Sequence, residues 1–159
     1  MSKFYSVNEV DKFDYKDCYI TNILFGDSIQ IEVEALIVKA GNSMNTNYTD
    51  SYAATTMIEL TNAKISAGCI DGYKYYNAND ELIRSVKDKP LNADECGKVL
   101  KDAVGDYLYD MEKTGDGVIL NIETIDEENS NTVGDSYTID IKCTDVNIGW
   151  DKYLNRVEK

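Results

Sequence analysis

Histidine is absent from all 159 residues, and proline and tryptophan occur once each. Without histidine the chain has no side chain that ordinarily titrates near neutrality, no Ser-His or Cys-His nucleophile pair and no imidazole for zinc. Most hydrolytic mechanisms go with it. Basic residues are also scarce: 16 Lys and Arg stand against 29 Asp and Glu, a net charge of −13. That field repels a phosphate backbone and an anionic lipid surface, so neither nucleic acid nor a membrane is expected as a partner, whereas a basic protein suits it. No apolar run approaches the roughly 18–20 residues that a bilayer requires. The opening segment 1–10 lacks the basic stretch and apolar core of a secretory signal, so a cytoplasmic location is expected. Cys18, Cys69, Cys96 and Cys143 lie far apart among apolar or small neighbours; their even number permits two disulfides, while a reducing compartment would keep them as thiols.

What the chain does have is alternation. Its length suits one domain over residues 1–159. The expected class is α+β and mostly β, an antiparallel meander of hairpins with one amphipathic helix packed on the sheet. The clearest stretch is 17–39. A hairpin closing at Gly26-Asp27 would set Leu24 opposite Ile29, Ile20 opposite Val33 and Cys18 opposite Ala35 on an apolar face. Phe25, Ile23, Thr21 and Tyr19 would then meet Ser28, Gln30, Glu32 and Glu34 on the wetter face. A slip of one residue would turn Ile29, Ile31 and Val33 toward water, so the register is specified. The consecutive Leu36, Ile37 and Val38 imply that the far end of this strand is covered on both sides.

Elsewhere, Phe4, Val7 and Val10 recur every three residues, hinting at one or two helical turns. A strand is expected over 55–65, with Thr56, Ile58 and Leu60 on one face. A second hairpin turns on 77–80. Asn92 followed by Glu95 is a capping box, with Leu91 and Cys96 placed as its staple, and Cys96, Val99, Leu100, Ala103 and Val104 form a helical stripe. Beyond it, 106–111 reads as a short strand. Gly115-Asp116-Gly117 turns the chain, and Val118, Leu120 and Ile122 pair with Tyr137, Ile139 and Ile141 across a polar connection over 126–136. A break near Thr144-Asp145 precedes the Val146, Ile148, Trp150 phase, and 151–159 reads as a short polar tail that Tyr153, Leu154 and Val157 would dock.

Candidate chemistry is thin. Asp145, Asn147, Gly149 and Asp151 have oxygen donors at alternate positions, but the glycine is misplaced for a calcium loop and no bidentate glutamate follows. Asp126, Glu127, Glu128 and Asp135 form an acidic patch that reads as solvated charge. No glycine-rich phosphate loop follows an expected strand, so no cofactor is expected. The chain is read as a binding protein and not as an enzyme. The polar stretch 41–50 is either a mobile excursion or a loop that touches a partner. Tyrosine is abundant, 12 in all, and pairs a rigid apolar body with a polar tip suited to recognition. The candidate contact residues are Asn45, Asn47, Tyr48, Asp50 and Tyr52 around that loop, with Tyr73, Tyr75 and Tyr76 on the second hairpin.

Two likenesses follow from these residues. The hairpin over 72–84, tyrosines then a polar turn then Leu82-Ile83, resembles one unit of the tyrosine-and-aspartate repeats of large secreted toxin shells, which implies hairpin chemistry only. The opening Asp17-Cys18-Tyr19-Ile20 and the closing Trp150-Asp151, in an acidic β-rich chain, resemble small immunity proteins of bacterial toxin systems. That resemblance implies a stoichiometric inhibitor covering the active site of a basic toxin. The alternative is a domain holding a carbohydrate-like ligand with Tyr and Asn side chains.

Overall fold

A computed structural model describes residues 2–125 and 133–157, with backbone alone for 73–75, 86, 125 and 133–135. Among these residues the chain forms β1 (Phe4–Val7), β2 (Phe13–Asp14), β3 (Tyr19–Leu24), β4 (Ile29–Glu34), β5 (Ile37–Val38), β6 (Ser51–Ala53), β7 (Thr56–Leu60) and β8 (Lys64–Ile70). These are followed by β9 (Tyr73–Tyr76), β10 (Leu82–Val86), β11 (Lys89–Leu91), helix α1 (Ala93–Lys101), β12 (Tyr107–Lys113), β13 (Gly117–Ile125), β14 (Val133–Lys142), β15 (Val146–Trp150) and β16 (Tyr153–Arg156). The architecture is mostly β with one helix on antiparallel sheets, as the alternation implies.

The main sheet runs β1-β15-β7-β4-β3-β12-β13-β14-β8-β11. Lying flat, the six steps from β7 to β8 would separate those strands by about 29 Å, yet residues 61–63 joining them span only about 14 Å at full stretch. The sheet therefore folds over on itself. The link from β14 to β15 makes the same crossing, and the two meet at one corner: Thr144 N donates to Thr61 O at 2.9 Å, Thr61 N to Asp145 O at 3.0 Å, and Asn62 Nδ2 to Thr144 Oγ1 at 3.1 Å. This corner is the expected break at Thr144-Asp145. It also splits the strand expected over 55–65, because Asn62 takes a left-handed φ of 48°. Inward side chains from both arms merge in one core that includes Ile31, Ile58, Leu120, Ile139 and Trp150.

The leading hairpin pairs Ile20 with Val33 and Tyr19 with Glu34, as expected, and buries Ile29, Ile31 and Val33. Past Ile20 the register shifts by one: Asn22 faces Glu32, Ile23 faces Ile31 and Leu24 faces Gln30. Thr21 is the extra residue, its hydroxyl donating to Glu32 O at 3.1 Å and Glu32 Oε1 at 2.8 Å. A bulge of this kind inverts the phase of the strand beyond it. Ile23 thus packs against the core and Leu24 turns out, the reverse of the unbulged hairpin. The strand also stops at Ala35, whose φ is 62°, so Ile37 and Val38 enter a second sheet of order β16-β6-β5-β2, where both are buried.

The N-terminal segment is an edge strand followed by a 3-10 turn over Val10–Lys12, not a longer helix. Phe4 pairs with Trp150 and stacks on its indole, ring centroids 5.7 Å apart, a partner too distant in sequence for local spacing to reveal. The tail expected after Asp151 forms β16, and Tyr153 packs beside Phe4 and Trp150. Helix α1 begins as read: Asn92 Oδ1 accepts from Glu95 N at 2.9 Å while Asn92 N donates to Glu95 Oε1 at 3.1 Å. It closes at Lys101, where Ala103 N bonds Leu100 O, so Val104 leaves the stripe and is exposed. Cys96 lies over Gly68 of β8, where any Cβ would fall 2.7 Å from its sulfur. That glycine lets the helix press onto the inner side of the sheet. Residues 126–132, which hold most of the polar connection and acidic patch, lie outside the described residues, as does the Asp135 side chain.

Candidate functional site

Alternation decides which side chains of the first arm, β1-β15-β7-β4-β3, face away from the core. Two rows cross it. Val7, Asn147, Glu59, Gln30 and Leu24 are successive cross-strand partners, and so are Tyr5, Gly149, Met57, Glu32 and Asn22. Glu34, paired with Tyr19, begins a third. The middle of the first row is tied together, with Gln30 Nε2 donating to Glu59 Oε2 at 3.3 Å and Asn147 Nδ2 to Glu59 Oε1 at 3.2 Å. Its apolar ends are open, Val7 and Leu24 each being 50% exposed. In the second row Tyr5, 47% exposed, lies across Gly149, where a Cβ would sit 3.4 Å from the ring. Burial first, then the carboxylates of Glu59 and Asp145, hold the Tyr5 phenol above its ordinary pKa, so it stays an O–H donor.

These five strands contain three glutamates and not one Lys or Arg. The second arm, β12-β13-β14-β8-β11, contains Lys113, Lys142, Lys64 and Lys89. There Lys142 Nζ lies 3.1 Å from Asp116 and 3.6 Å from Asp140. Its outer polar row is internally bonded: Thr138 Oγ1 lies 2.7 Å from Asp71 Oδ1 and 3.2 Å from Asn121 Oδ1, and Cys69 Sγ donates to Asp71. Burial, then the Asp71 carboxylate, raises the Cys69 pKa, the opposite of what a thiolate nucleophile needs. Burial likewise pushes Cys18 up to about 12.

The loop residues singled out in the sequence do several different jobs. Asn45 is buried, and its Nδ2 donates to the carbonyls of Val38, Lys39 and Thr49. Its Oδ1 accepts from Asn47 N, as Asn42 Oδ1 does from Met44 N, two successive Asx turns. Asn47 Nδ2 reaches Ser51 Oγ at 3.4 Å, and Asp50 Oδ1 accepts from Ala40 N at 2.8 Å. Glu9 stitches the same loop to the N-terminal segment, accepting from Ser6 Oγ, Ser43 Oγ and Ser43 N. Stretch 41–50 is thus a hydrogen-bonded scaffold in which Asn45 and Asn47 serve the loop itself. Tyr48 stands out at 92% exposed on a left-handed φ of 59°. Tyr52 donates to Asp17 Oδ2 at 3.1 Å.

Tyr73, Tyr75 and Tyr76 lie on β9, which among the described residues pairs with β10 alone and belongs to neither larger sheet. Tyr76 is exposed there, and the Tyr73 and Tyr75 side chains lie outside the described residues. The two groups of candidates therefore hang from different elements. The calcium-like run 145–151 is mostly β15, with Asn147 turned outward and Ile148 and Trp150 inward, and Asp145 Oδ1 accepts from Asn8 Nδ2. The outward residues of the first arm were missed in the sequence, although one signal was available: five strand segments devoid of cations in a chain with 16. No helix of the described residues is long and apolar enough to cross a membrane. Compared with known protein families, curated proteins and solved structures, the chain gives no match.

Proposed function

We propose that this chain is a non-catalytic acidic interaction protein that docks a basic protein partner through the outer face of its first arm, acting as an immunity-type inhibitor of that partner. One observation carries the reading: five neighbouring strands present Glu32, Glu34 and Glu59 beside open Tyr5, Val7 and Leu24, with no cation among them. Apolar patches framed by charge of one sign suit a protein interface, because burial supplies affinity while complementary charge supplies steering and selectivity. The carbohydrate alternative has less to draw on, since the Asn45 amide is engaged by the Val38, Lys39 and Thr49 carbonyls and the Asn47 amide by Ser51 Oγ.

The test is co-expression with the product of a neighbouring gene that encodes a basic protein, followed by affinity capture. A complex recovered with the wild type and lost on Glu32→Lys with Glu59→Lys supports the reading. A wild-type chain recovered alone, or capture indifferent to those charge reversals, overturns it.

A further inference from the structure

Beside the outer face, where Glu34 ends β4, lies an open cleft of about 610 Å³. Its apolar lining includes Ala35, Ala54 and Leu154, with Asp17, Glu34 and Tyr52 among the polar groups, and no Lys or Arg of the described residues lines it. Leu154 is 60% exposed. The Tyr52 hydroxyl donates to Asp17 Oδ2 at 3.1 Å, which helps to fix this exposed carboxylate. Two exposed carboxylates beside apolar side chains in one cleft match one kind of occupant, a cationic head on an alkyl stem.

We infer that this cleft receives an arginine or lysine side chain of the basic partner, its stem against Ala35, Ala54 and Leu154 and its head between Asp17 and Glu34. The inference rests on the partner reading above and names the anchor within it. Such an anchor behaves as a hot spot: a long side chain, desolvated along its stem, meeting fixed carboxylates at the edge of a larger interface. Guanidinium is the better fit, because its planar fork can engage two carboxylates together.

The probe is a blocked pentapeptide, Gly-Leu-Arg-Leu-Gly, compared with the same peptide carrying neutral citrulline, each titrated into the isotope-labelled full chain. The expected result is amide shifts at Ala35, Ala54 and Leu154 with the arginine peptide, and at least about tenfold weaker binding of the citrulline peptide. Asp17→Asn with Glu34→Gln should cost the same factor, since the asparagine still accepts from Tyr52 and the fold is kept. Leu154→Lys, at an exposed site, should also abolish binding by placing a cation in the cleft. Glu112→Lys, exposed on the second arm, should leave peptide binding unchanged. Shifts scattered over other acidic residues, equal binding of both peptides, or indifference to the Asp17 and Glu34 changes would overturn the inference. If the peptide occupies the cleft while capture of the basic partner fails, the functional reading falls alone. If capture succeeds and the peptide never reaches the cleft, the anchor falls alone.

Discussion

The two arms of the folded sheet share one core and differ in what they turn outward. The second arm offsets part of its own charge, with Lys142 set between Asp116 and Asp140 and the Thr138 row bonded among its own members. The first arm carries glutamates, open apolar ends and no cation. Self-repulsion among surface carboxylates is unfavourable, so an arm that leaves it uncompensated gives up a little stability relative to one that does not. The difference teaches where a partner would gain most: a cation brought to the first arm meets carboxylates that accept hydrogen bonds there but that no Lys or Arg of those strands neutralises.

The comparison assumes that both arms stand on the same core, and Trp150 tests that assumption hardest. Its indole touches Phe4 and Phe13, both at 5.7 Å between ring centroids, and Tyr153 at 6.0 Å. Trp150→Ala should cost about 3–5 kcal/mol in urea unfolding, as large-to-small changes in a buried aromatic cluster do. Amide exchange at Met57 in the first arm and Asn121 in the second should accelerate together. If only the first arm loosens, the arms are separate cooperative units and the contrast between their faces loses its common frame.

Charge reversal sharpens the contrast next. Glu32→Lys with Glu59→Lys should weaken partner binding by about 30-fold, roughly 2 kcal/mol, chiefly by adding like-charge repulsion against a basic surface. Asp110→Lys with Glu112→Lys, on the outer side of the second arm, should change it by less than about threefold. Equal losses from both pairs would mean that the overall charge, not the first arm, attracts the partner.

Much of the frame was legible because its signals are local. Asn92 and Glu95 announce the helix start three residues apart, and the alternation of 118–122 against 137–141 gives the β13-β14 pair. The failures are all non-local. Nothing near Thr21 betrays a bulge stabilised by Glu32 across the strand, and that bulge alone decides that Leu24, not Ile23, faces outward. β2, β5, β6 and β16 have two to four residues each, too few to show a period. The candidate surface stayed hidden for a related reason. Its residues are ordinary strand positions, and they acquire meaning only when the order β1-β15-β7-β4-β3 lays them side by side. The eye goes instead to tyrosines and asparagines in loops, several of which the backbone employs for itself.

The helix presses on β8 of the second arm, so its cap gives that arm a handle of its own. Asn92→Ala removes the acceptor for Glu95 N and should cost about 1 kcal/mol, read from the urea midpoint. Partner binding through the first arm should be unaffected. A binding loss here would couple the arms more tightly than a shared core requires.

The smallest expected effect concerns pH, at the seam where the first arm's edge strand meets the 41–50 loop. Burial raises the Glu9 carboxyl, but the hydrogen bonds from Ser43 and Ser6, with Lys12 nearby, outweigh it and hold the pKa below the ordinary 4.5. A depressed folded pKa means that the native state binds the proton less readily than the unfolded chain does. The stabilisation is therefore complete above the unfolded value near 4.5 and disappears as pH falls from there through the folded pKa. Glu9→Gln should lower the urea midpoint slightly at neutral pH, and the gap from wild type should close in that acid window. The side chain is partly in water, so solvent screens its hydrogen bonds and keeps the effect small. A gap that persists unchanged below that window would show that the protonated carboxyl holds the serines as well as the carboxylate does. Shape and not charge would then fix the edge of the acidic arm.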